Sequence, residues 1–323
     1  MARAINWEAR IGRRVRLRDL HVLFAVDQSG SMAKAATLLG ITQSAISQMV
    51  ADLENTLGVR LLDRSTRGVE VTVYGRTLLK YGKAAFDDLR QGIQEIEFLA
   101  DPGVGEIRIG APESVSSAIL PTIIRHFSKE YPRARLDIDA TDVTAAMPKL
   151  RDRSLDMVMV LGGIAREDIS SATDLKVEKL FNDELVIAAD ANSPWSRRRK
   201  LDLADLGDAQ WILAPSGFSN VVLADAFRAR GLDMPKVNLK TFSIHIRANL
   251  VAGGPFVTTL PRSVLNHYAR RLPIKALPIT FPARPWPLVI VTLKDRTVSP
   301  VVECFIKCAH EVAKSMAASA RKS

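Results

Sequence analysis

The sequence predicts an α/β protein in which a short helical N-terminal domain and a large C-terminal α/β domain are joined by one long helix. Three observations support this fold class. Apolar residues recur at helical spacing through residues 17–57 and again through residues 74–99, and strand and helix patterns alternate across residues 104–310. The 323 residues are enough for two or three domains with a sizeable core.

The composition is that of a soluble globular protein, with 47% hydrophobic and 25% charged residues. No apolar run approaches the ~20 residues of a membrane span. The Arg-rich N-terminus lacks the apolar block of a secretory signal. The two cysteines, Cys304 and Cys308, make no disulfide framework and indicate a reducing compartment. We therefore expect a cytoplasmic protein.

The charge is unevenly distributed along the chain. The formal net charge is +10, and the residues through Lys83 contain 13 Lys and Arg against 7 Asp and Glu. Such an excess favours an anionic partner, although many basic proteins bind no nucleic acid. The N-terminal quarter is therefore where a nucleic-acid contact is expected.

The N-terminal domain reads as a helix-turn-helix. Residues 17–26 have helical spacing, and Ser31 is positioned to cap a second helix that ends at Gly40. Thr42 is predicted to cap a third helix that stops at Gly58. The third helix has an apolar stripe made of Ala45, Ile46, Met49, Val50, Leu53 and Leu57. Two short helices joined by a turn that contains Gly form a helix-turn-helix.

The start of the third helix carries small polar side chains where Glu and Lys would fill an ordinary solvated face. In a helix-turn-helix these positions enter the DNA major groove. A Gln such as Gln43 can pair with adenine N6 and N7. A merely solvated polar face is the alternative. The residues expected to contact bases are Thr42, Gln43, Ser44, Ser47 and Gln48.

Two short strands are expected next, over Val59–Asp63 and Val69–Thr72, with Gly68 supplying the turn. They form a β-wing whose tip would touch phosphates or a minor groove. A solvated charged loop is the alternative. The wing residues assigned to DNA are Arg64, Thr66 and Arg67.

A long helix over residues 74–99 follows the wing. Its apolar residues recur at helical steps of three, four or seven: Leu78, Ala85, Leu89, Ile93 and Ile96. Such a helix leaving a small domain is a candidate dimer seam. The alternative is a helix packed on its own subunit. Residues 101–106, DPGVGE, are a plausible linker.

The stretch GSMAKAATLLGITQSAISQMVADLENTLGVRLLDRSTRGVEVTVYG resembles the DNA-binding block of the LysR-type transcriptional regulators, position for position and without gaps. Ser44 departs from this pattern because a Pro is common there, and the Arg-rich leader is longer than usual. The resemblance implies a bacterial regulator that binds an interrupted palindrome in promoter DNA through a winged helix-turn-helix. It also implies a homodimer or homotetramer that acts with RNA polymerase.

The resemblance further implies that the C-terminal domain is a two-lobed effector-binding domain similar to type 2 periplasmic binding proteins. A small-molecule effector would bind between the lobes. The expected boundaries are 1–16 for a basic extension, 17–73 for the winged helix-turn-helix, 74–103 for the linker helix and hinge, 104–316 for the effector domain and 317–323 for a tail. Lobe I would comprise 104–181 and 281–316, and lobe II 182–280.

Ligands in open α/β sheets lie at the carboxyl ends of strands, beside helix N-termini. Hydroxyls of Ser and Thr at helix starts suit a carboxylate or another small anion, although ordinary helix capping is the alternative. Acidic residues there would suit an effector with a hydroxyl or amine, or would point away. The residues selected on this basis are Glu113, Ser114, Asp142, Val143, Thr144, Gly162, Gly163, Ser216, Gly217, Phe218 and His245.

Signatures of catalysis are missing from the sequence: it has no GxSxG, GxxxxGK[ST], HExxH or CxxC, and its five His residues have no metal-ligand spacing. We therefore expect no catalytic residues, metal or cofactor. A transport binding protein would lack the DNA-binding front. An architectural DNA-binding protein with a ligand-independent assembly domain remains the alternative to a regulator.

Overall fold

The computed structural model describes residues 14–65, 68–162, 172–279 and 286–320. The chain divides into two compact units, Met1–Arg90 and Gln91–Ser323. The division falls inside one continuous helix, Val73–Ala100. Each unit is described by itself.

The N-terminal unit is built from short helices and a hairpin. Its elements are α1 (Leu17–Ser29), α2 (Met32–Leu39), α3 (Gln43–Leu57), β1 (Leu62–Ser65), β2 (Gly68–Val71) and the long helix α4 (Val73–Ala100). Helix α3 ends at Gly58, whose φ of 74° lies in the left-handed region that favours glycine. The hydrophobic core of the N-terminal unit includes Leu23, Val26, Ala35, Ile46, Val50, Leu53 and Leu61.

Two local predictions for this unit were wrong in detail. Ser31 stands at the N-cap of α2, but its side chain makes no capping hydrogen bond. The first strand begins at Leu62 rather than Val59. The reason is that a carboxylate oxygen of Glu54 accepts hydrogen bonds from the N–H groups of Leu61 and Leu62, at 2.7 and 3.1 Å. The N–H of the residue before β1 and the N–H of its first residue are thus satisfied by a helix side chain.

The first of two sheets in the C-terminal unit contains β3 (Val104–Ala111), β4 (Arg133–Ala140), β5 (Met157–Leu161), β6 (Leu175–Asp183) and β12 (Trp286–Leu293). The order is β4-β3-β5-β12-β6. Strand β3 is parallel to β4 and β5, whereas β12 is antiparallel to β5 and β6. This sheet forms lobe I with α5 (Glu113–Ser116), α6 (Leu120–Glu130), α7 (Val143–Arg151) and α11 (Pro300–Ala320).

The second sheet contains β7 (Leu185–Asp190), β8 (Gln210–Leu213), β9 (Val237–Lys240), β10 (Phe256–Pro261) and β11 (Ile274–Ala276), in the order β11-β7-β10-β8-β9. Strand β8 is parallel to β9 and β10, and β7 is antiparallel to its neighbours. This sheet forms lobe II with α8 (Phe218–Arg228), α9 (Ile244–Val251) and α10 (Arg262–Tyr268).

The chain passes from the first sheet to the second at Glu184, between the end of β6 and the start of β7. It returns between β11 and β12, although residues 280–285 lie outside the described part of the chain. The predicted fold class, with a helix-turn-helix domain, a long helix and a two-lobed α/β domain, is confirmed.

The two cysteines pack in the C-terminal unit rather than forming a surface site. Cys308 belongs to the hydrophobic core, Cys304 packs against it, and burial raises the pKa of the Cys308 thiol to about 11. Within the described ranges no helix has both the length and the apolar character to cross a membrane. The same residues contain no group of His, Cys, Asp and Glu placed to hold a metal ion.

Candidate DNA interface and interlobe cavity

The first turns of α3 present a polar surface. Thr42 caps the helix, because its hydroxyl accepts a hydrogen bond from the N–H of Ala45 at 3.2 Å. The opposite side of the helix is anchored in the core by Ile46, Val50 and Leu53. The predicted base-contacting residues are exposed, or half-buried in the case of Ser47: Thr42, Gln43, Ser44, Ser47 and Gln48.

Some of these polar side chains already have partners. The amide Nε2 of Gln48 donates to Oδ1 of Asp52 at 2.7 Å. The hydroxyl oxygens of Thr42 and Ser44 lie 3.0 Å apart and share a hydrogen bond. Reading a base edge with Gln48 would therefore require its amide to leave Asp52, whereas Gln43 is exposed at the first position of the helix.

The hairpin after α3 carries the wing residues. Arg64 is exposed in β1 and lies opposite Val69 in the antiparallel register. Its position leaves the guanidinium at the surface of the unit. Thr66 and Arg67, the other two predicted wing contacts, lie outside the described residues.

Helix α4 has an apolar stripe that faces solvent in the single chain. Leu89, Ile93 and Ile96 are 49%, 58% and 68% exposed, at steps of four and three residues. This spacing is the 3.5-residue repeat of a helix–helix seam. The second half of α4 therefore presents an apolar surface that its own subunit does not cover.

A cavity of about 440 Å³ lies between the strand ends of the two lobes. Lobe I contributes the segments after β3 and β4 and the end of β5, and lobe II contributes the segments after β8 and β9 and residues of β10. Helix N-termini accompany several of these segments. The wall includes eight of the residues that the sequence selected: Glu113, Ser114, Asp142, Val143, Thr144, Ser216, Gly217 and Phe218.

Two other predicted residues are placed differently, and a third is not described. Gly162 is buried and its N–H donates to the carbonyl of Pro287 at 2.9 Å, away from the cavity wall. His245 is exposed in the first turn of α9, and its backbone N–H donates a hydrogen bond to Glu113. Gly163 lies outside the described part of the chain.

Both acidic residues of the wall are engaged by helix N-termini. One carboxylate oxygen of Asp142 accepts hydrogen bonds from the N–H groups of Thr144 and Ala145, at 2.8 and 3.1 Å, and so caps α7. Glu113 reaches from lobe I to the N-terminus of α9 in lobe II. Their negative charges are thereby compensated, which reduces the repulsion that an anionic ligand would meet.

Arg247 is a wall residue that the sequence analysis missed. It is 6% exposed, and its Nη1 donates to the carbonyl of Thr259 at 3.2 Å. Neither its Nε nor the Thr259 hydroxyl has a hydrogen-bond partner among the described residues. Burial lowers the pKa of Arg247 to about 10, partly opposed by the negative charge of Glu113. No local pattern in the sequence marks Arg247 as buried, because its helix has no clear apolar face.

The family comparisons agree with this architecture. Residues 17–76 match the family model described as a bacterial regulatory helix-turn-helix protein of the lysR family. Residues 100–314 match the LysR substrate binding domain. The second match alone covers more than half of the chain.

Individual relatives and solved structures are similar to the chain over most of its length. The transcriptional dual regulator GltC of Bacillus subtilis is 29% identical over 290 residues, which cover 90% of this chain and 94% of the relative. The crystal structure of CbnR, a LysR family transcriptional regulator, aligns with a TM-score of 0.63 at 20% identity, covering 93% of this chain and 99% of that one. The structure of a full-length OxyR variant from Pseudomonas aeruginosa aligns with a TM-score of 0.65 at 20% identity, covering 93% of this chain and 95% of that one.

These structural similarities, at low identity, concern the fold alone, and the family models carry the assignment. The helix-turn-helix match falls on the polar surface of α3, and the second match falls on the two lobes that enclose the cavity. The protein is a regulator and not an enzyme. The chain belongs to the LysR family of DNA-binding transcriptional regulators, with an N-terminal helix-turn-helix and a C-terminal effector-binding domain.

Proposed function

We propose that this regulator binds an interrupted palindromic promoter site as a homodimer or homotetramer, and that a small anionic organic effector in the interlobe cavity alters its hold on DNA. The observation that carries the effector half of the proposal is the cavity, because it combines helix N-termini with the buried cation of Arg247. The same cavity favours a regulator over a purely architectural DNA-binding protein, which needs no ligand site.

The DNA half of the proposal rests on α3 and the hairpin. The N-terminal residues of α3 would lie in the major groove, with Gln43 and Ser44 at base edges and Arg64 on the phosphate backbone. The apolar stripe of α4 would join two protomers. Two joined protomers would place their α3 helices in successive major grooves about 34 Å apart, which requires an interrupted palindrome.

Gln43→Ala is expected to weaken binding to a DNA site selected by the wild-type protein from a random pool by about 1–3 kcal/mol, and to relax the base preference at one position of each half-site. The loss has this size because a bidentate Gln–adenine pair discriminates by that amount. Quantitative gel shifts on the selected site and on random DNA measure it. Gln28→Ala, an exposed Gln on α1, is the matched control and should bind normally. An unchanged ratio of specific to random affinity would remove Gln43 from base readout.

A ligand of the cavity should stabilise the whole chain against unfolding. In a thermal-shift screen of small organic acids, a ligand at 100 times its dissociation constant adds about 2.7 kcal/mol to the free energy of unfolding. Ser114→Ala should weaken the response because Ser114 lines the cavity and the substitution removes its hydroxyl. Ser116→Ala, on the same short helix and not part of the wall, should leave it unchanged. Equal effects of the two substitutions would argue against binding at Ser114.

We propose that the protein acts in the bacterial cytoplasm and that its DNA-bound form contacts RNA polymerase. Both proposals rest on the family assignment. A footprint of the promoter with and without polymerase tests the second, because contact between the two proteins would extend protection or raise the affinity of either one.

A further inference from the structure

The N-terminus of α9 holds a carboxylate that comes from the other lobe. The side chain of Glu113 accepts hydrogen bonds from the Ser243 hydroxyl at 3.2 Å, from the N–H of Ile244 at 2.8 Å and from the N–H of His245 at 3.1 Å. Three donors and the positive end of the helix dipole thus converge on one anion. A carboxylate fits this helix end with good geometry.

A buried cation, Arg247, lies on the same helix. Arg247 lies one turn further along α9, lines the same cavity and is 6% exposed. A buried guanidinium has five donors, and burying it is costly unless they are used. In the described residues its Nε has no hydrogen-bond partner, and the nearby Thr259 hydroxyl has none either. Donors are therefore left over in the wall for an acceptor that Glu113 does not supply.

We propose that the N-terminus of α9 and Arg247 form a carboxylate-binding point, that Glu113 fills its helix end in the state described, and that a carboxylate of the effector displaces Glu113 from it. The inference rests on the proposed function, because it assigns the anionic group of the effector to one place in the same cavity. Chemically, the ligand class is a small organic carboxylate.

The exchange has a mechanical consequence. Glu113 belongs to lobe I and α9 to lobe II, so the contact ties the two lobes together. A free carboxylate in place of Glu113 keeps the charge of Arg247 compensated but removes this tie. The effector would then favour a different arrangement of the lobes, which is what a ligand must do to shift an equilibrium.

Chemical rescue of Glu113→Ala in the full-length protein tests the proposal without knowledge of the effector. Acetate supplies the missing carboxylate. With about 0.1 M sodium acetate in place of sodium chloride, the unfolding midpoint of Glu113→Ala should rise by about 2–4 °C. The wild-type protein should respond less, because its tethered Glu113 has a high effective concentration at the site. Asp208→Asn, which removes one exposed charge from lobe II outside the cavity wall, should behave like wild type.

Arg247→Met in the Glu113→Ala background should abolish the acetate response. If Glu113→Ala folds poorly, Glu113→Ser, which also leaves room for acetate at the helix end, replaces it, with circular dichroism as the check. If acetate raises the unfolding midpoint of the Glu113 variant no more than that of the wild type, the inference is overturned. An acetate response that survives Arg247→Met would equally overturn the assignment of Arg247.

The inference and the proposed function can fail separately. A screening hit that depends on Ser114, with no acetate rescue of Glu113→Ala, would keep the effector cavity and reject the carboxylate-binding point. Acetate rescue together with a DNA footprint that no cavity ligand alters would keep the binding point and reject the regulatory role.

Discussion

Ile93→Glu is expected to separate the protomers and to lower the affinity for a two-half-site operator by about 10³-fold or more, the gap between specific and non-specific DNA binding. Ile93 is 58% exposed in the single chain and lies in the middle of the stripe with Leu89 and Ile96. In a dimer related by a two-fold axis, each substitution is present twice. Two carboxylates would be buried in an apolar seam without partners, which is costly.

The matched control is Ile93→Leu, which keeps the side chain apolar and of similar volume and should preserve assembly. Analytical ultracentrifugation measures the oligomer, and gel shifts compare one half-site with two. Both variants should bind a single half-site weakly and alike. A dimer that survives Ile93→Glu with normal operator affinity would show that the stripe on α4 is not the seam.

Asp156→Asn is expected to lower the free energy of unfolding by about 3–5 kcal/mol, since it removes the anion from a buried charge cluster. Asp156 is 3% exposed; its Oδ1 accepts hydrogen bonds from Nη2 of Arg296 at 2.7 Å and of Arg108 at 3.0 Å. The Asp156 side chain also binds the backbone N–H of Arg108 at 2.8 Å. Two guanidinium groups would lose their shared carboxylate.

Chemical denaturation of the full chain measures this loss. Asp139→Asn, which breaks the exposed ion pair with Lys149, is the control and should cost no more than about 1 kcal/mol. A similar small loss for both variants would show that the buried cluster contributes little net stability.

The same cluster predicts a pH dependence. Burial raises the pKa of Asp156, but the hydrogen bonds and charge of Arg108 and the charge of Arg296 lower it by more, so the folded pKa lies below the ordinary value. The stabilisation is therefore complete above the unfolded pKa of about 4 and is lost as the pH falls through the folded pKa. The difference between wild type and Asp156→Asn should shrink in acid. A difference that stays constant to low pH would contradict the shift.

Local patterns were sufficient for the start and end of helix α3 in the N-terminal unit. The cap at Thr42 and the stop at Gly58 were read from single residues, because capping and left-handed turns depend on a few neighbouring atoms. The strand predicted to begin at Val59 begins at Leu62, which shows the limit of prediction from local patterns. The N–H groups of Leu61 and Leu62 donate to Glu54, which lies seven and eight residues earlier and on a different element.

The residues of the cavity wall likewise include some that the sequence predicted and some that it did not. Eight of its residues could be chosen from the sequence because strand ends and helix starts leave local signals, and parallel strands bring those ends to one edge. The bond between Glu113 and Ser243 joins residues 130 apart in the chain, and no local pattern reports it. Arg247 likewise reads as an ordinary helix residue, although folding buries it and its Nη1 donates to the carbonyl of Thr259 in β10. The secondary structure, the family and most of the predicted cavity residues could thus be predicted from residues close together in the sequence. Burial and charge pairing across the lobes depend on contacts that only the folded chain creates.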